Sequence, residues 1–487
     1  MTPAAVPIQP PAWSAPARSV RAWSALAGLL ALAAVTILAG DLGIGFIRPV
    51  FVLACGGLGL LALRGGPERH VELTISLFAI APFLRRVVDL GAGFDSAGTM
   101  LIGPLLCILV PAVELRGLLL PGAAAGRQYR TILLIAACGI YAGALSLVQG
   151  DFMQAASGTL KWIAPLVYGI WIAEQTHRTD RLTLAATRTF AVIMPLMGIY
   201  GMFQYVDPPA WDRYWMTYAG MASIGSPEPY EVRVFSTMNS PASYAMYAAA
   251  GLILIGFGRL RWTTPLIAVP SSIGLMLTLF RTSWIGLAVA IVFCACFAAT
   301  RLRAVLITAF IVVAVIFAVA ATPFGDTIGN RLETLNQTPS EDGSGAERIQ
   351  EFVILFNHSA ENVFGNGFSV VDVGTPGLMA VDGQIVSCWL TMGIMVGLAC
   401  LVAIVWAAGV ALFRVAQRRD RDGIAVGAIV AGMLVELPLA GIASSELGVL
   451  FWMFVALAAS PSIRLAGDPG TRLASVRHPD MSGYVTS

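Results

Sequence analysis

The chain has 487 residues, of which 57% are hydrophobic and only 12% are charged, against about 25% charged in ordinary soluble domains. Lipid is therefore the solvent most of its surface suits, and length gives no guide to domain number. A net charge of +2, with basic residues dispersed rather than gathered into a stripe, excludes a nucleic-acid surface.

Residues 1–21, rich in Pro and Ala, read as a disordered N-terminal tail. The apolar segment behind them is too long for a signal-peptide core and is expected to stay as the first span. One all-α, polytopic membrane domain is then expected over 22–463, followed by a C-terminal tail over 464–487. Apolar runs of about 17 to 25 residues predict spans near 22–40, 44–63, 71–84, 98–113, 131–149, 158–174 and 188–206 in the first half. The second half adds 238–258, 264–280, 282–300, 304–322, 384–413, 423–443 and 447–463, fourteen in all. Cationic flanks stay on the cytoplasmic side. Arg414, Arg418, Arg419 and Arg421 then fix the register, with both termini in the cytoplasm of a bacterial cell and the protein in its inner membrane.

Two segments expected outside exceed simple connectors. The first, 207–237, carries Trp211, Tyr214, Trp215 and Tyr218, aromatics suited to the membrane interface. The second, a large periplasmic loop over 323–383, contains Ser344-Gly345-Ala346-Glu347, a capping box, followed by Ile349, Phe352, Val353 and Phe356 at helical spacing. That pattern predicts an amphipathic helix against the outer face of the membrane. Gly365, Gly367, Gly374 and Gly377 mark turns before the next span.

The seven cysteines (Cys55, Cys107, Cys138, Cys294, Cys296, Cys388 and Cys400) form no CxxC pair and no Cys/His metal spacing, so they are expected as buried free thiols. With no Gly-rich phosphate loop and no dinucleotide fingerprint, the energy for any reaction must arrive with the substrate or a gradient.

Nine of the 30 basic residues fall on the outer face: Arg48, Arg85, Arg86, Lys161, Arg213, Arg233, Arg281, Arg331 and Arg348. Each has a plain reading, snorkelling to lipid phosphate or pairing with a carboxylate. The sharper reading is a shared anion site, because guanidinium grips phosphate through a fork and stays charged. Arg281 sits at the tight junction of two spans, in Leu279-Phe280-Arg281-Thr282-Ser283, with no acidic neighbour in sequence. Arg233 opens the polar run Arg233-Val234-Phe235-Ser236-Thr237-Met238-Asn239-Ser240-Pro241, which enters the membrane. Arg348 lies early on the amphipathic helix, where a cation opposes the dipole unless Glu351 or a ligand answers it.

These residues resemble the superfamily of O-antigen ligases and O-antigen polymerases, over roughly 200 to 410. The likeness rests on the Arg233–Pro241 run, the Arg281-Thr282-Ser283 hairpin, and the loop from Arg331 through Asp382. In that loop Ser344 through Arg348 precedes Asn362-Val363-Phe364-Gly365-Asn366-Gly367-Phe368. The resemblance implies a glycosyltransferase of the C type that moves a glycan from undecaprenyl diphosphate to another saccharide without metal, nucleotide sugar or other cofactor. Arg233 and Arg281 would match family arginines that hold the diphosphate; Arg348 joins them as a third candidate, and Arg331 and Asn239 are additional site candidates. Ligases of the family commonly carry a His before the span that closes the loop. Here Ala380-Val381-Asp382-Gly383-Gln384 stands in its place, and Asp382 is similar to the acidic variant of polysaccharide polymerases.

The expected function is therefore polymerisation of lipid-linked repeat units, in the company of a flippase and a chain-length regulator, with transfer to lipid A-core as the ligase alternative. Asp382 is the candidate base, with an N-cap role for the span near 384 as its plain reading. His358 reads as a surface residue late on the amphipathic helix. From another class, a secondary transporter or flippase draws on Glu436 in Val435-Glu436-Leu437-Pro438, an ionisable group within a span beside a helix-breaking Pro. A hydrogen-bonded carboxylate near the outer end of a span is its plain reading. A non-catalytic member of a polysaccharide-assembly complex is a third option.

Overall fold

The computed structural model describes residues 16–118, 129–258, 264–321, 353, 363–368 and 383–460. Among these residues the only β feature is an isolated bridge between Gly225 and Val232. Helices α1 (Pro16–Asp41), α2 (Ile47–Gly65), α3 (Pro67–Ala92), α4 (Ile102–Leu109), α5 (Arg130–Val148), α6 (Phe152–Glu174) and α7 (Thr179–Val206) build the first half. After the short α8 (Ala210–Ala219) come α9 (Pro241–Phe257), α10 (Thr264–Leu277), α11 (Arg281–Ala295) and α12 (Ala298–Ala321). Then α13 (Gln384–Arg418), α14 (Arg421–Glu436) and α15 (Ser445–Ala459) close the described chain.

Each apolar run read from the sequence overlaps a helix of the described residues. Four stretches, Ile47–Gly65, Arg130–Val148, Thr176–Val206 and Gln384–Arg418, are long and apolar enough to cross a membrane. The described residues are thus helical throughout apart from turns and that bridge, with four helices fit by length and composition to cross a membrane. Many boundaries shift, by as much as nine residues at the start of α7, and three differences have a structural reason. Helix α1 starts at Pro16 and takes in residues 16–21, which the sequence assigns to the tail. The run 98–113 is no single α-helix but α4 between 3₁₀ turns, Thr99–Leu101 and Val110–Leu118. Pro104 and Pro111 interrupt the ladder there by removing donors.

The third difference is the largest. A straight helix over the 35 residues of α13 would run about 52 Å, well past the hydrocarbon thickness of about 30 Å. Instead Gly393 (φ 75°, ψ 172°) breaks it into two. The first half folds back so closely that a Cβ on Gly397 would lie 2.6 Å from the carbonyl oxygen of Cys388. Residues that far apart on a continuous helix would sit about 13 Å from each other.

A broken helix frees carbonyls that water cannot reach, and they need donors. Asn366 and Gly367 provide them: their N–H groups donate to Leu390 O at 2.8 Å and Thr391 O at 2.9 Å. Gly365 (φ 84°) and Gly367 (φ 68°) adopt the left-handed backbone this cap requires. The same segment is pinned to α5, where Phe368 N–H donates to Ser146 Oγ at 2.7 Å and Tyr141 OH donates to Phe364 O at 2.7 Å. Two glycines expected to mark turns are therefore part of a plug docked into the bundle.

The main core joins α5, α6, α7, α9, α11, α13, α14 and α15 around Trp171, Tyr244, Tyr247, Phe451 and Trp452. A second core joins α1, α2 and α3. There α1 and α3 meet backbone to backbone, since a Cβ on Gly91 would stand 1.9 Å from Gly40 O. Small residues at such crossings let helices gain dispersion contacts that lipid cannot supply. A third, smaller cluster of Trp215, Met216, Ile224, Val232 and Phe235 roofs the 207–237 segment. Trp215 is buried against Phe235, and Trp211 Nε1 donates to Tyr200 OH at 2.8 Å, so these two rings pack inward rather than marking the membrane interface. Six of the seven thiols are buried and free as expected, whereas Cys296 is exposed.

Candidate functional site

Four of the cations expected outside are held by carboxylates. Arg48 and Arg85 share Asp89, at 2.9 Å and 3.3 Å. Arg213 pairs with Asp207 at 2.6 Å on the surface. Arg85 also donates to Asp95 O at 2.5 Å and lies over the Phe94 ring. The nearby Asp95 carboxylate accepts from the N–H groups of Ala97 and Thr99. Burial pushes this carboxyl up, but the Thr99 donors and the charges of Arg48 and Arg85 outweigh it and hold it below its ordinary value. Lys161 is exposed on α6.

Arg86 is the fourth and is fully buried. It pairs with the equally buried Asp212 of α8 at 3.0 Å and donates to Ser236 O and Met238 O, both at 2.6 Å. Its guanidinium lies 4.8 Å from the Phe235 ring centroid. Gln204 completes the clamp: Nε2 donates to Asp212 at 2.6 Å, while Oε1 accepts from the N–H groups of Phe235 and Ser236. These side chains from α3, α7 and α8 hold the polar run from Arg233 to Ser240 in one shape before α9 begins. Arg86 is thus a tether for the candidate site, not a member of an open cationic surface.

That shape brings the run to the turn before α11. Val234 N–H donates to Leu277 O at 3.0 Å, and Arg233 Nη2 donates to Leu279 O at 3.3 Å, two residues from Arg281. Arg233 and Arg281 are both half-buried. Five non-glycine residues in the described chain have positive φ, and three of them cluster here: Ser236 (52°), Leu279 (53°) and Ser445 (53°). A branched aliphatic residue in this region is rare, and each such residue stores about 1–3 kcal/mol that surrounding contacts must hold.

The same end of the bundle gathers the N-termini of α9, α11, α13 and α15. Ser240 caps α9 and donates from Oγ to Ser243 Oγ at 2.9 Å; Ser243 Oγ in turn donates to Glu446 Oε1, in the first turn of α15, at 2.7 Å. The α11 start is tied to the end of α14 by Ser283 Oγ donating to Glu436 Oε2 at 3.0 Å. Gln384, 1% exposed, fastens the start of α13 to the corner between α14 and α15. Its N–H donates to Leu437 O and Ala440 O, and its Oε1 accepts from Ala443 N–H. No side chain caps α11, α13 or α15. The dipole of a helix favours negative charge in front of its N-terminus.

Glu436 is 2% exposed. Its carboxylate fits because Gly286 of α11 faces it without a side chain; a Cβ there would meet Oε1 at 2.1 Å. The plain reading of Glu436, a hydrogen-bonded carboxylate near a span end, matches this geometry. Asn239 lies half-buried, with its Oδ1 out of solvent contact and without a hydrogen-bond partner, as is Thr237 Oγ1. Gly383 (φ 103°) holds the N-cap position of α13. Asp382, Arg331, Arg348, His358 and the Ser344–Glu347 box with its amphipathic helix lie outside the described residues. Among the described residues no His, Cys, Asp and Glu group has metal-binding geometry.

Sequence reasoning named Arg233, Arg281, Asn239 and Glu436 here but missed Gln384, Ser243 and Glu446, whose roles depend on which helix ends meet. Set against known proteins, the chain matches no family model and no curated relative.

Proposed function

We propose that the protein is a membrane glycosyltransferase that polymerises saccharide units carried on undecaprenyl diphosphate, at the extracytoplasmic face of a bacterial inner membrane. The observation that carries this reading is the docking of Arg233 on Leu279, two residues from Arg281, at the bundle end where α9, α11, α13 and α15 begin. Two guanidinium groups on separate, strained stretches of chain suit a dianionic leaving group. Charge builds on the diphosphate as the anomeric bond breaks, and preorganised donors lower that barrier most. Backbone strain at Ser236 and Leu279 fits a site whose geometry is fixed in advance. By the resemblance Arg348 would be a further diphosphate ligand, Arg331 an additional site residue and Asp382 a candidate base, all three outside the described residues. The ligase reading shares all of these parts and differs in the acceptor.

The test is Arg281→Ala against Arg281→Lys in a strain lacking the native gene. Both variants are expected at the membrane in normal amounts, Ala without long-chain polymer and Lys with shortened or sparse polymer, because a point charge does not replace the fork. Wild-type polymer length with Arg281→Ala overturns the assignment.

A carrier or flippase is the second reading, favoured by the break at Gly393 and by buried Glu436, since broken helices and intramembrane carboxylates mark substrate paths in transporters. Proton-gradient-driven movement of lipid-linked glycan across vesicles, abolished by Glu436→Gln, would establish it over transfer.

A further inference from the structure

We infer that Glu446 is the carboxylate that receives the acceptor hydroxyl's proton, on a polar ledge formed with Thr237, Asn239, Ser240 and Ser243. The inference rests on the transferase reading and gives the base role to Glu446 in place of Asp382.

Glu446 is half-buried, and only one of its oxygens is engaged: Oε1 accepts from Ser243 Oγ at 2.7 Å. Ser243 in turn accepts from Ser240 Oγ at 2.9 Å, so hydroxyls from the start of α9 point in series toward the carboxylate. The hydroxyl series starts where the Arg233 run ends, because Ser240 is the last residue of that run before Pro241. Along it, Thr237 Oγ1 and Asn239 Oδ1 are shielded from solvent yet make no hydrogen bond. Unmet polar atoms of this kind cost about 1–3 kcal/mol each and call for an explanation. Here they suit a ligand rich in hydroxyls, a saccharide. Ser445, immediately before Glu446, is held at φ 53°, so the carboxylate's position is set by strained backbone rather than by a relaxed helix start.

An acidic residue in a first helical turn also steadies the helix dipole. That role needs neither a hydroxyl series nor unmet atoms beside it. Glu436 is the other described carboxylate at this end, but it is sealed between Ser283 and Gly286 and has no open side for an acceptor.

The step balances simply. The acceptor O–H gives its proton to Glu446, its oxygen bonds to the donor's anomeric carbon, and the anomeric C–O bond to phosphate breaks. The electron pair leaves with the diphosphate, whose charge Arg233 and Arg281 meet.

Glu446→Gln keeps an acceptor for Ser243 and tests the base alone. Full-length protein in nanodiscs would be given lipid-linked oligosaccharide extracted from a polymer-deficient strain, with farnesyl diphosphate as the binding probe. Glu446→Gln is expected to lower turnover by about 10²- to 10⁴-fold, to leave probe affinity within about threefold, and to lose the acid limb of the pH–rate profile. Ser243→Ala, which removes a donor to the carboxylate, is expected to cost about two- to tenfold and to shift that limb upward. Turnover by Glu446→Gln within twofold of wild type overturns the inference while leaving the transferase reading intact. Turnover and probe affinity falling together also overturn it, because the residue is then a structural tie. No transfer by the wild-type protein overturns both readings at once.

Discussion

Arg86→Met removes the guanidinium that clamps the polar run, and its cost follows from what the change leaves behind. Asp212, 0% exposed, loses its cation, and breaking a buried pair from one side costs about 3–5 kcal/mol. Tyr200 OH at 2.7 Å and Gln204 Nε2 at 2.6 Å still donate to that carboxylate, which favours the lower end of the range. Met238 O then loses the donor the guanidinium supplied, adding about 1 kcal/mol or more. We expect about 4 kcal/mol, close to a thousandfold in the opening equilibrium. The loss should be local, because the clamp holds residues 233–240 and not the helices themselves. Hydrogen exchange on peptides covering 233–240 reads it directly, with peptides of α6 and α15 as internal controls. Arg86→Met with Asp212→Asn removes the stranded carboxyl group and should recover about half of the loss. Protection of 233–240 unchanged by Arg86→Met, or no recovery in the double variant, would refute the clamp.

Three further outcomes follow from the same geometry. Gly393→Ala puts a Cβ 2.2 Å from Val363 O at φ 75°. It should cost at least about 2 kcal/mol and raise maleimide labelling of Cys388 in native membranes; unchanged labelling counts against the break. Gly91→Leu should separate α1 from α3 and lower the detergent melting temperature, followed with a thiol dye on a Cys296→Ser background; wild-type melting would show that the Gly40 approach is not tight. Asp95 has a lowered folded value, so its contribution is present above the ordinary value of 3.8 and is lost as pH falls through the folded value. Asp95→Asn should therefore destabilise the protein near neutral pH and have no effect at the acid extreme, and a constant difference across that range would refute the assignment.

Much of the helical plan was readable because hydrophobic run length is a property of each segment alone. The runs at 131–149 and 238–258 became α5 and α9 with boundaries shifted by one to three residues. What run length cannot report is how a long run bends. The continuous apolar sequence around Gly393 hides a break whose cap comes from residues 365–367, and only their spatial meeting makes the break stable. Cations were harder. Arg86 and Arg233 look alike as outward arginines near spans, yet one faces Asp212 from a helix remote in sequence and the other faces a carbonyl. Sequence proximity ruled out an acidic neighbour for Arg281, but it says nothing about partners brought by folding. Glu446 carried no signal at all, since a Glu after Ser-Ser reads as an ordinary helix start.

The plug at Asn366 and Gly367 also bears on the order of assembly. A short half-helix such as Gln384–Met392 reaches the bilayer with carbonyls that hydrocarbon cannot solvate, a penalty of several kcal/mol for each group left bare. Its donors are synthesised earlier in the chain and gain their fixed position only against α5, already inserted. Insertion of the long second half of α13 can thus precede the seating of the first, leaving completion of this end of the bundle as a late step.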